Sequence, residues 1–377
     1  MVTLADLRRF AVSRSLFPPN TLSDALEKLG FVQADPIRAP ARAQDLTMRH
    51  RVQGYRAGDL ERLYETLGIE EDVFVNYGYV TRPLQALMHP RSATLVPAAG
   101  ALPWPSRRRK RAELLLEFVR AKGQAHPREV DAHFSHGRVR NYWGGSSNAT
   151  THLLDAMHYR GLLRVARREK GIRIYEAHQH GPGPDDASGR SARLDALVDA
   201  AVSIYSPLPG RSLATFVRRM RYAAPQWRSL LTAALRRARE RLAHERVDGI
   251  EWYWPADENP ANAPPPGDAV RLLTPFDPVV HDRHRLELLW GWAYRFEAYT
   301  PVKKRKLGYY ALPLLYRDRV MGWGNLSVED GALVSDVGTV GSPPRDRSYK
   351  LGLAEELDRI RAFLGLEAVA GPRQERR

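Results

Sequence analysis

The sequence predicts an α+β protein in which tandem helical units, each with a small β-hairpin, precede a β-rich domain. Apolar residues recur at helical spacing in short segments that end at glycine, as at Leu26 and Leu29 before Gly30. Residues 162–176 alternate as two basic strands around a glycine-containing turn. Beyond about residue 290 the pattern changes to that of short strands. Helix-rich and strand-rich parts thus follow one another, which is typical of the α+β class.

The composition limits the classes of protein that this chain can represent. Its 377 residues include 58 Lys or Arg and 43 Asp or Glu, which gives a net charge of +15, and 43% of the residues are hydrophobic. This content predicts a folded protein of about two or three domains rather than a disordered or collagen-like chain. The chain contains no cysteine. Disulfide scaffolds, thiolate zinc sites, iron–sulfur clusters and a cysteine nucleophile are therefore excluded.

The charge and hydropathy patterns indicate a location and a class of partner. No segment approaches the about 18 apolar residues that a membrane helix needs, and residues 1–9 predict a helix rather than a signal peptide. We therefore expect a cytoplasmic protein without membrane contact. The surplus of basic residues favours a polyanionic partner, because each neutralised phosphate releases counterions. On charge alone DNA, RNA and simple solubility all remain open, with nucleic acid favoured.

Three stretches rich in Pro and Gly divide the chain. They are residues 97–105, 181–189 and 255–267. We expect compact segments on either side of each stretch and a charged, disordered tail at the end. The predicted segments are 1–96, 106–180, 190–254 and 268–365, and the predicted tail is 366–377.

The segment 106–180 has the most regular pattern. It predicts a first helix with an apolar face, a second that opens with proline and a third that begins after a serine. The residues concerned are Leu114, Leu115, Phe118 and Val119, then Pro127, then Ser146 or Ser147. Three helices followed by the hairpin at 162–176 are the plan of a winged helix. The segments 1–96 and 190–254 show weaker versions of it.

The segment 268–365 changes character. It contains three strand-like stretches, at residues 294–299, 308–315 and 319–326, and then a helical one at 351–364. We expect a small β-barrel-like domain closed by a helix. The full prediction is an α+β chain of tandem winged-helix domains followed by that domain.

Gln33 and Asp35 are the candidate chemical pair. In an extended segment side chains alternate, so the amide and the carboxylate would project to the same side. The carboxylate could act as a general base or stabilise a developing cation, and the amide could hold a water beside it. Alternatively, Asp35 turns the chain before Pro36 and Gln33 is solvated. Spacing alone favours this second interpretation.

Three basic clusters are candidate phosphate contacts. The second lies on the predicted wing hairpin, and the third on a predicted β-hairpin of the last segment. The alternative is that they are solvated faces of helices and loops. The residues are Arg107, Arg108, Arg109 and Lys110; Arg164, Arg167, Arg168 and Lys170; and Lys303, Lys304, Arg305 and Lys306.

Three ordered blocks of the sequence resemble one known family. Residues 29–55 contain the Gln33-Ala-Asp35 triplet, and residues 273–283 and 294–315 form two further blocks. Together they are similar to the AlkZ/YcaQ (AlkX) winged-helix DNA glycosylases. Tyr142-Trp143 and the segment 165–168 of the middle unit also fit, so the resemblance covers nearly the whole chain.

The resemblance implies both a fold and an activity. Family members are tandem winged helices plus a β-barrel, which form a concave basic surface on duplex DNA. They hydrolyse the N-glycosidic bond of alkylated purines, and some unhook interstrand crosslinks. The Gln-x-Asp triplet resembles the YcaQ (AlkX) branch and places catalysis at Gln33 and Asp35. No metal or organic cofactor is expected, and the expected partner is double-stranded DNA, bound by a monomer associated with the nucleoid.

A non-catalytic winged-helix DNA-binding protein, such as a transcriptional regulator, is the alternative. The predicted fold supports it equally. Residues 73–81 also lack the histidine that related glycosylases show in this region. The two hypotheses differ at Asp35, which only a glycosylase needs for chemistry.

Overall fold

The computed structural model describes residues 1–91, 105–134, 137–140, 146–181, 186–342 and 344–366, with only the backbone at 138–140 and 146–147. The chain forms two compact units. The first comprises Met1–Leu60, Val202–Leu213 and the residues from Arg241 onward; the second comprises Glu61–Ala201 and Ala214–Glu240. Outside the described residues lie parts of the predicted connectors (97–104 and 182–185), most of the predicted tail (367–377), and Tyr142-Trp143.

Helices and strands alternate along the described residues. The α-helices are α1 (Leu4–Ser15), α2 (Leu22–Leu29), α3 (Ala43–Met48), α4 (Asp59–Arg62), α5 (Arg82–Met88), α6 (Ser106–Lys122), α7 (Pro127–Phe134), α8 (Ala149–Tyr159), α9 (Ala187–Tyr205), α10 (Gly210–Ala223), α11 (Leu231–Arg241), α12 (Arg283–Trp290) and α13 (Arg347–Leu364). The strands are β1 (Phe31–Gln33), β2 (Ile69–Val73), β3 (Tyr77–Thr81), β4 (Gln124–Ala125), β5 (Arg138–Arg140), β6 (Ser146–Asn148), β7 (Leu163–Glu169), β8 (Ile172–Ala177), β9 (Leu208–Pro209), β10 (Ala243–Val247), β11 (Ile250–Trp254), β12 (Val270–Leu272), β13 (Leu312–Tyr316), β14 (Arg319–Glu329) and β15 (Ala332–Thr339).

The two N-terminal helices form where the apolar spacing predicts them. Thr3 caps α1 in a capping box with Asp6, and the Thr21 side chain caps α2. Gly30 ends α2 with a φ of +69°, a conformation that costs glycine little. The chain therefore turns directly from α2 into β1, which carries Gln33.

Helix α1 lies between two hydrophobic clusters of the first unit. Leu7 and Phe10 pack with Trp252 of β11, whereas Val12 and Leu16 pack with apolar residues of the C-terminal part. Removing these side chains from water supplies most of the energy that holds residues distant in sequence together. The first unit is therefore built from both ends of the described chain.

Two antiparallel sheets complete the first unit. One has the order β10-β11-β9, and the other is a half-barrel with the order β12-β13-β14-β15. The predicted barrel is thus confirmed only in part. Residues 294–299 were expected to form a strand but have no strand structure. Tyr294 is instead buried, and its hydroxyl donates to the Ala311 carbonyl at 2.7 Å.

The second unit contains the helices and the hairpin predicted for residues 106–180. α6, α7 and α8 precede the hairpin β7–β8, and β4 pairs with β8. The cap of α8 is Asn148 rather than Ser146 or Ser147, because the Asn148 side chain accepts from the amides of Thr150 and Thr151. Leu114 was expected on the apolar face of α6 but is exposed.

The hairpin β2–β3 was not predicted. β2 contains Glu70, Glu71 and Asp72 in succession, and all three are buried. Acidic residues are rare in strands and expensive to bury, so the sequence gives no strand signal here. Contacts made by residues elsewhere in the second unit compensate the three charges.

The helices of the described residues do not match a membrane span. None combines the length and the apolar content that crossing a bilayer requires.

An ion pair in the interior links two parts of the first unit. Arg51, which follows α3, donates to both carboxylate oxygens of Asp277 at 2.8 and 3.1 Å, and both side chains are fully buried. Arg51 also donates to the carbonyls of Ser15 and Thr47. The guanidinium therefore satisfies four acceptors at once.

We expect Arg51→Ala to destabilise the protein by about 3–5 kcal/mol, because Asp277 would remain buried without a counter-charge. Arg317→Ala is the matched control: it removes the 2.7 Å pair with Asp268, which is exposed, and should lower the stability far less. Urea unfolding followed by Trp fluorescence measures both. Similar losses in the two variants would contradict the prediction.

Candidate active site

The candidate pair lies where β1 ends. Gln33 is the last residue of β1 and is 8% exposed, so it is not solvated. Asp35 follows two residues later and is half-buried. Its Oδ1 accepts from the Ile37 amide at 2.9 Å, which is the turn contact of the alternative interpretation. The structure thus combines a turn at Asp35 with a buried Gln33.

Gln44 of α3 fixes the backbone of Asp35. Its Oε1 accepts from the Asp35 amide at 3.3 Å, and its side chain is 4% exposed. The sequence did not single out Gln44. It lies in the same block as the Gln-x-Asp triplet, and that proximity is the only signal that could have found it.

The carboxylate of Asp35 is held by one oxygen. Within the described residues, Oδ1 accepts the bond from Ile37 and Oδ2 accepts none. Burial raises the pKa of Asp35 above its ordinary value of 3.8, and the Ile37 amide only partly opposes this. A carboxylate with a raised pKa and a free oxygen is suited to accept a proton or to face a positive charge.

Tyr310 is within electrostatic range of this carboxylate. Its ring is buried, its hydroxyl is 3.4 Å from Thr274 Oγ1, and the ring has an edge contact with Phe296. Burial raises the pKa of Tyr310 well above its ordinary value, and the charge of Asp35 raises it further. The hydroxyl is therefore neutral and available as a donor. Tyr310 lies within the block at residues 294–315, and the sequence did not single it out.

Helix α3 is anchored by residues that follow Gln44. Asp45 is buried and accepts from the Tyr55 hydroxyl at 2.7 Å and from the Gly58 amide at 3.0 Å. Arg49 donates to the Leu272 carbonyl at 2.9 Å. These contacts fix α3, and Gln44 of this helix in turn fixes the backbone of Asp35.

A cleft of about 600 Å³ adjoins this region. Arg38, Pro40 and Tyr310 form part of its wall, together with side chains of β14 and β15. The loop after Asp35 and the tyrosine near Asp35 thus both border the same open space.

The first basic cluster begins α6. Arg107, Arg109 and Lys110 are exposed, and Arg108 is half-buried. The first turn of this helix has no acidic residue, and Pro105 provides no side-chain cap. Positive charges at a helix N-terminus oppose the helix dipole. Arg109 lies 4.0 Å from Glu113 on the next turn, whereas the described residues show no ion pair for Arg107 or Lys110.

The second cluster is largely engaged within the second unit. Arg164 donates to both oxygens of Glu70, and Arg168 donates to both oxygens of Glu71. Despite burial, which opposes it, the Arg168 guanidinium and its neighbours hold the pKa of Glu71 below its ordinary value. These two arginines stabilise the buried acids of β2.

The tip of the same hairpin is more open. Arg167 contacts Gln124 and Glu169 and is partly exposed, whereas Lys170 is exposed at the turn. The wing therefore offers Arg167 and Lys170 to solvent.

The third cluster lies on a loop and not on the predicted β-hairpin. Lys303, Lys304 and Lys306 are exposed around a short 3₁₀ turn. Arg305 donates to the Thr300 carbonyl at 2.8 Å and lies over the ring of Tyr309 at 5.0 Å. For the three lysine side chains, the described residues show no structural role.

A fourth basic surface was missed by the sequence analysis. Arg218, Arg221 and Tyr222 of α10 are exposed and line a cleft of about 510 Å³ in the second unit. No acidic side chain is among the described residues that line it. The signal was present in the run Arg218-Arg-Met-Arg221, which has no acidic neighbour within α10.

Comparison with known proteins identifies the family. The family described as DNA glycosylase AlkZ-like has a model that matches residues 26–363. The fold is similar to that of Streptomyces sahachiroi DNA glycosylase AlkZ, with a TM-score of 0.63 and 15% identity over 98% of each chain. At that identity the similarity shows the fold alone, whereas the family match includes the Gln33, Asp35 and Tyr310 region. The chain therefore belongs to the AlkZ-like DNA glycosylase family.

Proposed function

We propose that this protein hydrolyses the N-glycosidic bond of alkylated purines in double-stranded DNA, with Asp35 and Gln33 as its catalytic residues. The observation that carries the proposal is the environment of the Asp35 carboxylate. One of its oxygens is fixed by the Ile37 amide, and the other accepts no hydrogen bond from the described residues. Its charge acts on the neutral Tyr310, and the loop that follows it lines a cleft together with that tyrosine. A stabilising surface turn would not need this environment.

The chemistry requires little of the protein. A purine alkylated at N7 is already cationic, so it can leave without being protonated. Departure of the base produces an oxocarbenium-like sugar, which Asp35 stabilises by charge, and a water molecule then attacks the sugar after giving its proton to Asp35. Buried Gln33 orients that water or the sugar. The raised pKa of Asp35 makes the carboxylate a better proton acceptor than an ordinary aspartate.

The two small sheets support the tandem winged-helix interpretation. β4 pairs with β8 beside the hairpin β7–β8, and β9 pairs with β11 beside the hairpin β10–β11. In both cases a short strand precedes two helices and then adds to the second strand of the hairpin. We propose that residues 106–180 form a winged-helix domain and that residues 190–254, which contribute to both units, repeat its order of helices and strands.

Exposed cations supply the proposed contacts with DNA phosphates. We assign these contacts to the start of α6, to the α10 cleft, to the wing tip and to the loop at 303–306. The strongest support is the α10 cleft, where arginines lie together with no acidic residue in the described lining. Arg164 and Arg168 are excluded from this assignment, because they bind the buried acids of β2.

The same chemistry would release a purine from an interstrand crosslink, which is the finer form of the proposal. A duplex crosslinked through N7 of two guanines tests it directly. After incubation with the protein, we expect the two strands to separate on a denaturing gel, because removal of the base breaks the link between them.

We expect Asp35→Asn to lower base release by at least about a hundredfold, because the proton acceptor is lost. The variant should keep its DNA affinity and its Tm, since asparagine can still accept from Ile37 and no charge is buried. Single-turnover release of 7-methylguanine from methylated duplex, with thermal unfolding in parallel, measures this.

Glu27→Gln replaces an exposed carboxylate of α2 by an amide. This variant is the control and should match the wild type. A large fall in the Tm of Asp35→Asn would indicate a structural role instead. Absence of base release by the wild type, with DNA binding retained, would favour the non-catalytic alternative.

The pH dependence follows from the raised pKa of Asp35. The ionised carboxylate is the active form, so the rate should be full at neutral pH and fall as the pH drops through that pKa. The fall should begin at a higher pH than the ordinary value of 3.8 predicts. Rates corrected for spontaneous base loss, measured from about pH 4 to 8, show this limb. If Asp35→Asn shows the same fall in rate at low pH, a group other than Asp35 causes it.

Replacing Arg218 and Arg221 together by alanine should weaken binding to damaged and undamaged duplex equally. The slope of log affinity against log salt should lose about 0.9 in magnitude for each phosphate contact removed. Fluorescence anisotropy at several salt concentrations gives the slope. Arg168→Ala is the contrasting variant: it should lower the Tm, because Glu71 stays buried, and leave the slope unchanged. An unchanged slope in the double variant would remove the α10 cleft from the DNA surface.

A further inference from the structure

We propose that the cleft between Arg38, Tyr309 and Asp336 receives the extruded damaged nucleotide and selects a purine that carries a positive charge. This inference rests on the proposed glycosylase function and adds the property by which the substrate is recognised. The cleft lies entirely within the first unit.

The loop that follows the candidate catalytic carboxylate lines the cleft. Arg38 to Pro40, in the loop that follows Asp35, form one wall, and Tyr310 forms another. The charge of Asp35 also acts on the Tyr310 hydroxyl. A base inside this cleft would therefore keep its sugar near Asp35.

The size of the cleft suits a modified base. Its volume of about 600 Å³ lies within the range of about 300–1,000 Å³ that is typical of small-molecule sites. Val328 and Val334 present apolar surface to it, and they are 44% and 42% exposed. The space can accommodate a purine with an alkyl substituent.

Tyr309 provides a stacking surface. Its ring is 45% exposed, although it is a large aromatic group, and Arg305 lies over it at 5.0 Å. Arg305 is itself fixed to the Thr300 carbonyl, so the ring is held in place. Every base can stack on an aromatic ring, which makes this contact tolerant of the identity of the purine.

The loop that presents Tyr309 is fixed by the residue before it. Gly308 has a φ of +119°, and a Cβ there would lie 2.2 Å from Asn325 Oδ1. Asn325 in turn donates to the Leu307 carbonyl at 2.7 Å. Only glycine fits this position, so β14 sets the position of the two tyrosines.

The charges of the cleft match those of the proposed ligand. Arg38 and Asp336 both line it and are exposed, and neither forms an ion pair with a described residue. A nucleotide alkylated at N7 has a negative phosphate at one end and a positive purine at the other. Arg38 matches the phosphate and Asp336 matches the purine. An undamaged nucleotide has no positive charge to offer Asp336.

A binding experiment tests the pocket without catalysis. The probes are 7-methylguanosine 5′-monophosphate, which is zwitterionic, and guanosine 5′-monophosphate, which lacks the positive charge; calorimetry or NMR titration of the full chain gives both Kd values. The wild type should prefer the methylated nucleotide, and Asp336→Asn should reduce that preference by about two- to fivefold, the range for a partly exposed charge pair. Glu329→Gln, an exposed change on β14 outside the cleft lining, should leave the preference intact.

A kinetic experiment tests the same pocket in the reaction. Release of 7-methylguanine should slow in Asp336→Asn, whereas binding of a duplex that contains the neutral base 1,N⁶-ethenoadenine should not weaken. Tyr309→Ala should raise the half-saturating DNA concentration for both, and Tyr309→Phe should restore it, with unchanged Tm in each variant.

The two proposals fail in different ways. If the wild type releases damaged bases but Asp336→Asn behaves like Glu329→Gln in both experiments, the pocket assignment is wrong and the glycosylase function stands. If the wild type releases no base yet binds the methylated nucleotide with a preference that Asp336→Asn removes, the pocket stands and the proposed reaction is wrong. Absence of any nucleotide preference in the wild type overturns the pocket.

Discussion

The first unit depends on the buried pair of Arg51 and Asp277. Both side chains are fully buried, and they connect the turn after α3 to the segment that follows β12. Nearby, Arg49 ion-pairs with Glu356 and donates to the Leu272 carbonyl, while the His50 ring also meets that carbonyl, at 3.1 Å. Buried ion pairs of this kind gain little net energy but strongly penalise any arrangement that separates them. They fix α3, and through Gln44 they fix Asp35.

The second unit buries three acidic residues and compensates their charges. β2 places three consecutive carboxylates inside the protein, where an unpaired charge would be very costly. Asp72 shows the extent of the compensation: burial opposes it, but Arg91 and His89 hold the pKa of Asp72 well below its ordinary value. Arginines that look like a basic surface in the sequence are thereby used for the interior. The exposed Arg218 and Arg221 of α10 differ from these arginines, because their helix contains no acidic residue.

The candidate site combines features that stability alone would not select. Asp35 is partly desolvated, which destabilises its charged form, and it has no cationic partner among the described residues. A few residues away, the cleft keeps an exposed tyrosine and two opposite charges apart from each other. Proteins commonly retain such unfavourable arrangements where they bind or transform a ligand. The electrostatics of the site therefore point in the same direction as the family to which the chain belongs.

The sequence by itself determined the α+β class, the amphipathic helices α1, α2 and α6, the hairpin β7–β8 and the family, because each rests on local periodicity, turn residues or short motifs. Only the tertiary structure decided the rest. β2 has the composition of a surface loop and becomes a buried strand because Arg164, Arg168 and Arg91 reach it from later parts of the chain. Gln44 and Tyr310 join Asp35 through folding, since the effect of a buried charge depends on neighbours that the local sequence does not specify. For the same reason, the sequence shows where cationic residues occur but not which of them form ion pairs in the folded protein.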